Sequence, residues 1–239
     1  MCRRFVGTRH DGFVIDIPAW WAGFHLNEAL EIAGVFFAGL AGGLAGVRKR
    51  FDVFGVLVLA WAAGLGGGVI RDVLISRTPP VGISHLPFVI TALLAGIAIN
   101  FVHPRVSRMR RTVIVLDAWA LALFVLLGTV IGLDFGVGPV AAVIVGMLTG
   151  IGGGMLRDLL VGEVPLVLVD QQLYAIPAFA GAVATAGLWT QGWLNMITSA
   201  AVVLGVAGVR LVSLRRGWVV PSAGELWSGR WGRRERMEE

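Results

Sequence analysis

One nine-residue stretch, Gly64-Leu65-Gly66-Gly67-Gly68-Val69-Ile70-Arg71-Asp72, recurs as Gly150-Ile151-Gly152-Gly153-Gly154-Met155-Leu156-Arg157-Asp158, and both copies lie inside long apolar runs. Any fold open to this chain must accommodate the motif twice. Adjacent glycines in a helix interior cost roughly 1 kcal/mol each relative to alanine. The apolar helices that carry them are therefore expected to unwind or bend at Gly66 to Gly68 and at Gly152 to Gly154. At bilayer depth, charged side chains and broken backbone persist only where protein or water surrounds them, so each motif marks a pathway or a site.

The apolar runs set the class. Hydrophobic residues make up 56% of the 239 and charged residues only 15%, with a mean hydropathy of +0.81, far outside the range of soluble domains. Seven stretches have roughly the 20 apolar residues that a spanning helix needs. They run approximately from Glu28 to Val47, Val53 to Ile75, Leu86 to Val102, Val113 to Leu133, Val137 to Val161, Leu173 to Thr190 and Leu194 to Leu214. Short connections make neighbours antiparallel, so an all-α membrane protein of seven transmembrane helices is expected. The lone Cys2 excludes an internal disulfide and a cysteine-based metal cluster. The segment before the first span lacks the continuous apolar core of a cleaved signal.

Adding 86 to a position in the first half reaches its counterpart in the second: Gly64 falls on Gly150, Arg71 on Arg157, Asp72 on Asp158, Pro79 on Pro165, Glu31 on Asp117 and Gly42 on Gly128. About half of the positions from Gly64 to Pro79 are identical under this shift, and the register is expected to hold from the first helix of each half into the third. A three-helix unit reverses direction in the membrane, so its two copies form an inverted repeat. The expected organisation is an extracytoplasmic segment 1–27, a first repeat 28–102, a second, inverted repeat 113–190, a seventh helix 194–214 and a basic tail 215–239.

Arg48, Lys49 and Arg50, then Arg105, Arg108, Arg110 and Arg111, then Arg215 and Arg216 with the tail all fall on one side. The positive-inside rule puts that side in the cytoplasm and the N-terminus outside a plasma (inner) membrane, with Arg3, Arg4 and Arg9 as a minority against it. This distribution assigns the charge of +5 to membrane orientation and not to nucleic acid. Arg230, Arg233, Arg234 and Arg236 suit an exposed tail facing membrane lipids. Gly34, Ala38, Gly42 and Gly46, and likewise Ala201 and Gly205, offer small-residue faces for close helix approach. Trp20, Trp21, Trp189 and Trp193 sit at span ends as interfacial anchors, whereas Trp61 and Trp119 read as packing residues.

Catalysis finds no support. The four histidines form no HExxH spacing, no serine or cysteine has a nucleophile context, and the glycine motif lacks the third glycine of a dinucleotide fingerprint and the GK[ST] ending of a phosphate loop. No enzyme, cofactor or metal is expected. A glycine break would free carbonyls at the end of one half-helix and amides at the start of the next, close to the charges that follow. The candidate pathway residues are Gly66, Gly67, Gly68, Arg71 and Asp72 with Gly152, Gly153, Gly154, Arg157 and Asp158. Helix depth puts Glu31 beside Arg71 and Asp117 beside Arg157 as charge partners, which lowers the cost of each buried charge. The plainer reading makes these residues structural ion pairs of a bent helix.

The doubled GxGGGxxRD motif in seven spans resembles the prokaryotic members of the trimeric intracellular cation (TRIC) channel family, also catalogued as a bacterial glycine-transporter-like (UPF0126-type) membrane domain. The resemblance covers about Asn27 to Leu214. It implies a homotrimer with a pore in each protomer, lined by the two motif helices and conducting monovalent cations, chiefly potassium. The Lys-Glu-Gly-Gly-Gly signature of eukaryotic members is missing. A secondary transporter of a small amino acid such as glycine stays open beside the channel, because broken helices in inverted repeats also build carriers.

Overall fold

The computed structural model describes residues 24–101, 109–169 and 173–218, which form α-helices joined by short irregular connections. The expectations for the segment before Phe24 with its arginines and Trp20 and Trp21, for Arg105 and Arg108, and for the tail arginines lie outside the described residues.

Nine helices follow in order among the described residues: α1 Phe24–Arg48, α2 Val53–Leu74, α3 Val81–Ser84, α4 Leu86–Phe101, α5 Met109–Asp134, α6 Pro139–Leu160, α7 Leu166–Val169, α8 Ala175–Thr190 and α9 Met196–Arg216. Five of them, α1, α2, α5, α6 and α9, are long and apolar enough to cross a membrane, and α4 and α8 are shorter apolar helices. The long helices coincide with the expected spans to within a few residues. The sequence reading did not separate out the four-residue helices α3 and α7.

Helix ends follow local chemistry. Asp52 caps α2 by accepting from the Gly55 amide at 2.7 Å, and Pro139 occupies the first turn of α6, where a missing N–H costs nothing. Asn195 and Thr198 form a capping box on α9, which ends on Gly217 at φ +63°. The turns after α1 and α5 place Arg50 (φ +61°) and Gly136 (φ +82°) in the left-handed region, and the turns after α2 and α6 do the same with Ser76 (φ +58°) and Gly162 (φ +70°). Each pair is 86 residues apart. The second half has glycine, which adopts this conformation freely, where the first half holds a side chain there at a cost.

The shift of 86 relates both ends of α2 and α6, but both ends of α4 and α8 are 89 apart. The register expected to run into the third helix therefore breaks before it. One residue, His85, separates α3 from α4.

The glycine runs do not break their helices. α2 and α6 are continuous α-helix through Gly66 to Gly68 and Gly152 to Gly154, which corrects the expected unwinding. Propensity is a weak prior that tertiary contact overrides, and here glycine serves close approach. A Cβ on Gly67 would run into the carbonyl oxygen of Thr149, and one on Gly153 into that of Ala63. α2 and α6 thus cross backbone to backbone, and each of these contacts is the other moved by 86 residues. A similar crossing joins α1 to α2 at Gly42 against the Leu59 carbonyl and α5 to α6 at Gly128 against Thr149.

α5 is the central helix, buried through Ala118, Leu121, Val125 and Val130, and it touches α1, α6, α8 and α9. The stripe on α1 packs inside the chain, with Gly34 against Phe124 and Gly46 against Leu59 and Val56. Ala201 and Gly205 on α9 face outward. Trp61 and Trp119 are half-buried against the core as expected, Trp193 is exposed, and Trp189 packs between α5, α8 and α9.

Candidate functional site

Near the end of each glycine helix a buried arginine gathers carboxylates. Adjacent positions on a helix point about 100° apart, so Arg71 turns its guanidinium sideways, and its Nε donates to Asp72 Oδ1 at 2.9 Å. Its Nη1 donates to Glu31 Oε1 of α1 at 2.8 Å. The other Asp72 oxygen accepts the Val81 amide at 2.7 Å, which ties down the start of α3. Arg77 Nη1 stands 4.0 Å from Asp72 Oδ1.

The second cluster repeats this skeleton. Arg157 Nε donates to Asp158 Oδ1 at 2.8 Å, Arg157 Nη1 to Asp117 Oδ1 at 2.6 Å, and Asp158 Oδ2 accepts the Leu166 amide at 2.9 Å. Charge-assisted bonds of this geometry are what permit ions to stay charged in an apolar interior. All four acids and both arginines singled out in the sequence are thus brought together, two by two across helices.

The clusters differ in their closure. The Tyr174 hydroxyl donates to Asp117 Oδ2 at 2.9 Å, and Arg210 of α9 lies over the Tyr174 ring with Cζ 4.7 Å from its centre while donating to the Leu173 carbonyl at 3.4 Å. A Cβ on Gly154 would stand 3.0 Å from Asp117 Oδ1 and 3.1 Å from the Tyr174 oxygen, so glycine is what lets them in. Among the described residues the first cluster has no such cover. Arg71 Nη2 is buried without a hydrogen-bond partner among the described residues, and a Cβ on Gly68 would meet only that nitrogen, at 3.8 Å. Tyr174 and Arg210 are residues of the site that the sequence did not single out.

Beside the second cluster lies a small cavity of about 10 Å³, walled by Ala38, Ala63, Gly153, Gly154, Asp117 and Arg157. Its charged wall is the Asp117–Arg157 pair; Ala38 of α1 and Ala63 of α2 close it from the first half.

Each end carries a further charged contact. Arg48 Nη2 and Lys49 Nζ at the end of α1 reach Glu163 at 2.6 and 3.0 Å. Partial burial pushes the Glu163 carboxyl up, but the bonds and charges of Lys49 and Arg48 outweigh it and hold the group below the usual carboxylate range. At the opposite end Arg77 lies over the Phe135 ring, 5.6 Å from its centre.

Comparison with known proteins gives this site a context. A family model described as "Glycine transporter" matches residues 28–104 and again 114–190. The UPF0126 membrane protein of Deinococcus radiodurans is 42% identical over 191 residues, 80% of this chain and 88% of that protein. The UPF0126 inner membrane protein YadS of Escherichia coli K12 is 32% identical over 155 residues, 64% of this chain and 74% of its own length. Among solved structures, the TRIC trimeric intracellular cation channel orthologue from Rhodobacter sphaeroides superposes with a TM-score of 0.76 at 33% identity, over 80% of this chain and 98% of that one. A structure solved for conductance through TRIC cation channels superposes with a TM-score of 0.73 at 28% identity, over 82% and 96%.

Proposed function

The chain belongs to the glycine-transporter membrane family, and from that premise we propose that it is a passive channel for monovalent cations, potassium in the cell, with a passage in each protomer of a homotrimer. The observation that carries this reading is the pair of buried arginine–carboxylate clusters, one near the end of each helix of the α2–α6 crossing, in a fold that superposes on TRIC cation channels. The passage follows α2 and α6 past Gly66, Gly67, Gly68, Arg71 and Asp72 on one side and Gly152, Gly153, Gly154, Arg157 and Asp158 on the other. With the helices unbroken, freed carbonyls are not its lining. The carboxylates of Glu31, Asp72, Asp117 and Asp158 balance the arginines and give a cation its favourable surface.

An inverted repeat supports the same reading. Contacts at the crossing map onto one another under the shift of 86, and the end of α1 meets the turn after α6 as the end of α5 meets the turn after α2. α4 and α8, at 16 residues each, rise about 24 Å, short of the ~30 Å hydrocarbon core. Joined to α3 and α7, they complete seven crossings. The N-terminus then lies outside and the C-terminus in the cytoplasm, which reporter fusions at Glu239 and near Asp134 test: a C-terminal reporter active only outside would overturn it.

The carrier reading drew on backbone ends exposed at broken helices, and continuous helices remove that ground. Reconstitution separates the two: a channel gives unitary current steps in a planar bilayer, whereas saturable uptake of glycine without steps would overturn the proposal. Native mass spectrometry in mild detergent tests the trimer; a monomer in several detergents would remove that part alone.

A further inference from the structure

Both carboxylate oxygens of Asp117 carry a donor: Oδ1 takes Arg157 Nη1 at 2.6 Å and Oδ2 takes the Tyr174 hydroxyl at 2.9 Å. Its counterpart Glu31 takes Arg71 Nη1 on Oε1 at 2.8 Å, and the Glu31 side chain is 15% exposed against 7% for Asp117. Tyr174 immediately precedes α8, and the residue in that place before α4 is His85, which is exposed. The fold therefore brings a phenol to the acid of the second cluster from a position that, in the first half, is exposed and carries an imidazole.

The phenol is itself held by α9. Arg210 sets its guanidinium over the buried Tyr174 ring, Cζ 4.7 Å from its centre, and its Nη1 donates to the Leu173 carbonyl at 3.4 Å. The Leu173 amide donates to the Ser213 hydroxyl at 3.2 Å. Residues 210 and 213 are three apart and so share one face of the helix, which grips Tyr174 by its ring and by the residue before it. A cation above an aromatic face is attracted by the electrons of the ring. Drawing those electrons towards Arg210 makes the phenol O–H a stronger donor to Asp117, as linked polar groups polarise one another. The cavity beside Asp117, about 10 Å³, is the least that holds one water-sized species, and a bare potassium ion is of that size.

We propose that Tyr174 and Arg210 set how tightly the passage holds a monovalent cation at Asp117. The Tyr174 hydroxyl occupies the carboxylate oxygen that a cation in the cavity would take, and Arg210 keeps the hydroxyl there, so the ion meets a weaker site and leaves sooner. Conduction needs that balance, with binding strong enough to admit the ion and weak enough to release it. Both residues act through Asp117, as positioning residues. This role rests on the passage proposed above.

The measurement is single-channel conductance of the full chain in planar bilayers as a function of potassium concentration. Tyr174→Phe should lower the half-saturating concentration about tenfold, near the low end of what a hydrogen bond to a charged group is worth, and lower the saturating conductance with it. Tyr174 is the one tyrosine of the chain, so growth on 3-fluorotyrosine changes that hydroxyl alone; the stronger donor should move half-saturation upwards with the packing kept. Arg210→Gln should lower half-saturation about threefold while the hydroxyl is present, the scale of one cation–π contact, and should leave it unmoved in Tyr174→Phe. Arg210→Lys should stay close to the parent. Half-saturation indifferent to both Tyr174→Phe and fluorotyrosine, in a parent that conducts, would overturn the role of Tyr174, and an Arg210→Gln effect of equal size with and without the hydroxyl would overturn the route from Arg210. A parent without unitary currents would overturn the passage itself.

Discussion

The Arg71 and Arg157 clusters grow from the same motif with the same three anchoring bonds, yet among the described residues one is covered and the other is left open. Around Arg157 the space in front of Gly154 holds Asp117 and the Tyr174 hydroxyl, and Arg210 brings α9 against them. Around Arg71 the equivalent space is open and Nη2 has no partner among the described residues. Two like skeletons are closed differently, Tyr174 and Arg210 of α9 covering only the one around Arg157 among the described residues, so the second cluster reads as a lock and the first as the more responsive site.

The largest test of that difference removes the arginines. Arg157→Leu strands Asp117 and Asp158 and should cost about 3–5 kcal/mol, the usual penalty for orphaning a buried ion. Arg71→Leu should cost less, because Arg77 remains near Asp72. Thermal unfolding in mild detergent checks this, and equal losses would break the distinction. Tyr174→Phe comes next. It deletes one hydrogen bond to a buried carboxylate, about 1.5–3 kcal/mol, and should make the second cluster behave like the first.

The glycines give a finer comparison. Gly154→Ala puts a methyl 3.0 Å from Asp117 Oδ1 and should destabilise by about 1–3 kcal/mol through overpacking. Gly68→Ala meets only Arg71 Nη2 and should be neutral or stabilising by up to about 1 kcal/mol, the helix-propensity gain. The same melts report both, and the reverse order would mean that the open space at Gly68 serves the fold.

The smallest effect lies at the ends. Glu163 has a folded pKa held below its unfolded value, so its contribution is present above the unfolded pKa and is lost as pH falls through the folded one. Stability should therefore slip slightly on acidification below the usual carboxylate range, and Glu163→Gln should flatten that slope.

The sequence made half of this legible. A single shift of 86 exposed the motif pairs, and helix depth alone put Glu31 against Arg71 and Asp117 against Arg157. The glycines misled because propensity counts the helix by itself, whereas Gly67 and Gly153 are set by another helix's carbonyl. Tyr174 was hidden because the spacing changes from 86 residues to 89 before α8, so the shift that pairs the motifs does not point to it. Arg210 did carry a signal, an arginine amid the apolar run of α9, the same signal that drew attention to Arg71. The contacts at the two ends escaped because the shift turns Arg48 into Asp134 and Arg77 into Glu163, exchanges that look like divergence until the turns are seen folded alike.

The central claim is that cations pass the two clusters, and single-channel recording of Asp72→Asn and Asp158→Asn, at matched expression and trimer content, tests it most directly. Each substitution leaves an arginine under-compensated in a confined, poorly screened site. Both variants should show lower cation conductance and a reversal potential displaced towards anions, with Asp72→Asn the more affected because Arg71 already lacks one partner. Conductance and selectivity unchanged in both would contradict the account and leave the arginines and aspartates as structural ion pairs of a membrane protein whose pathway runs elsewhere.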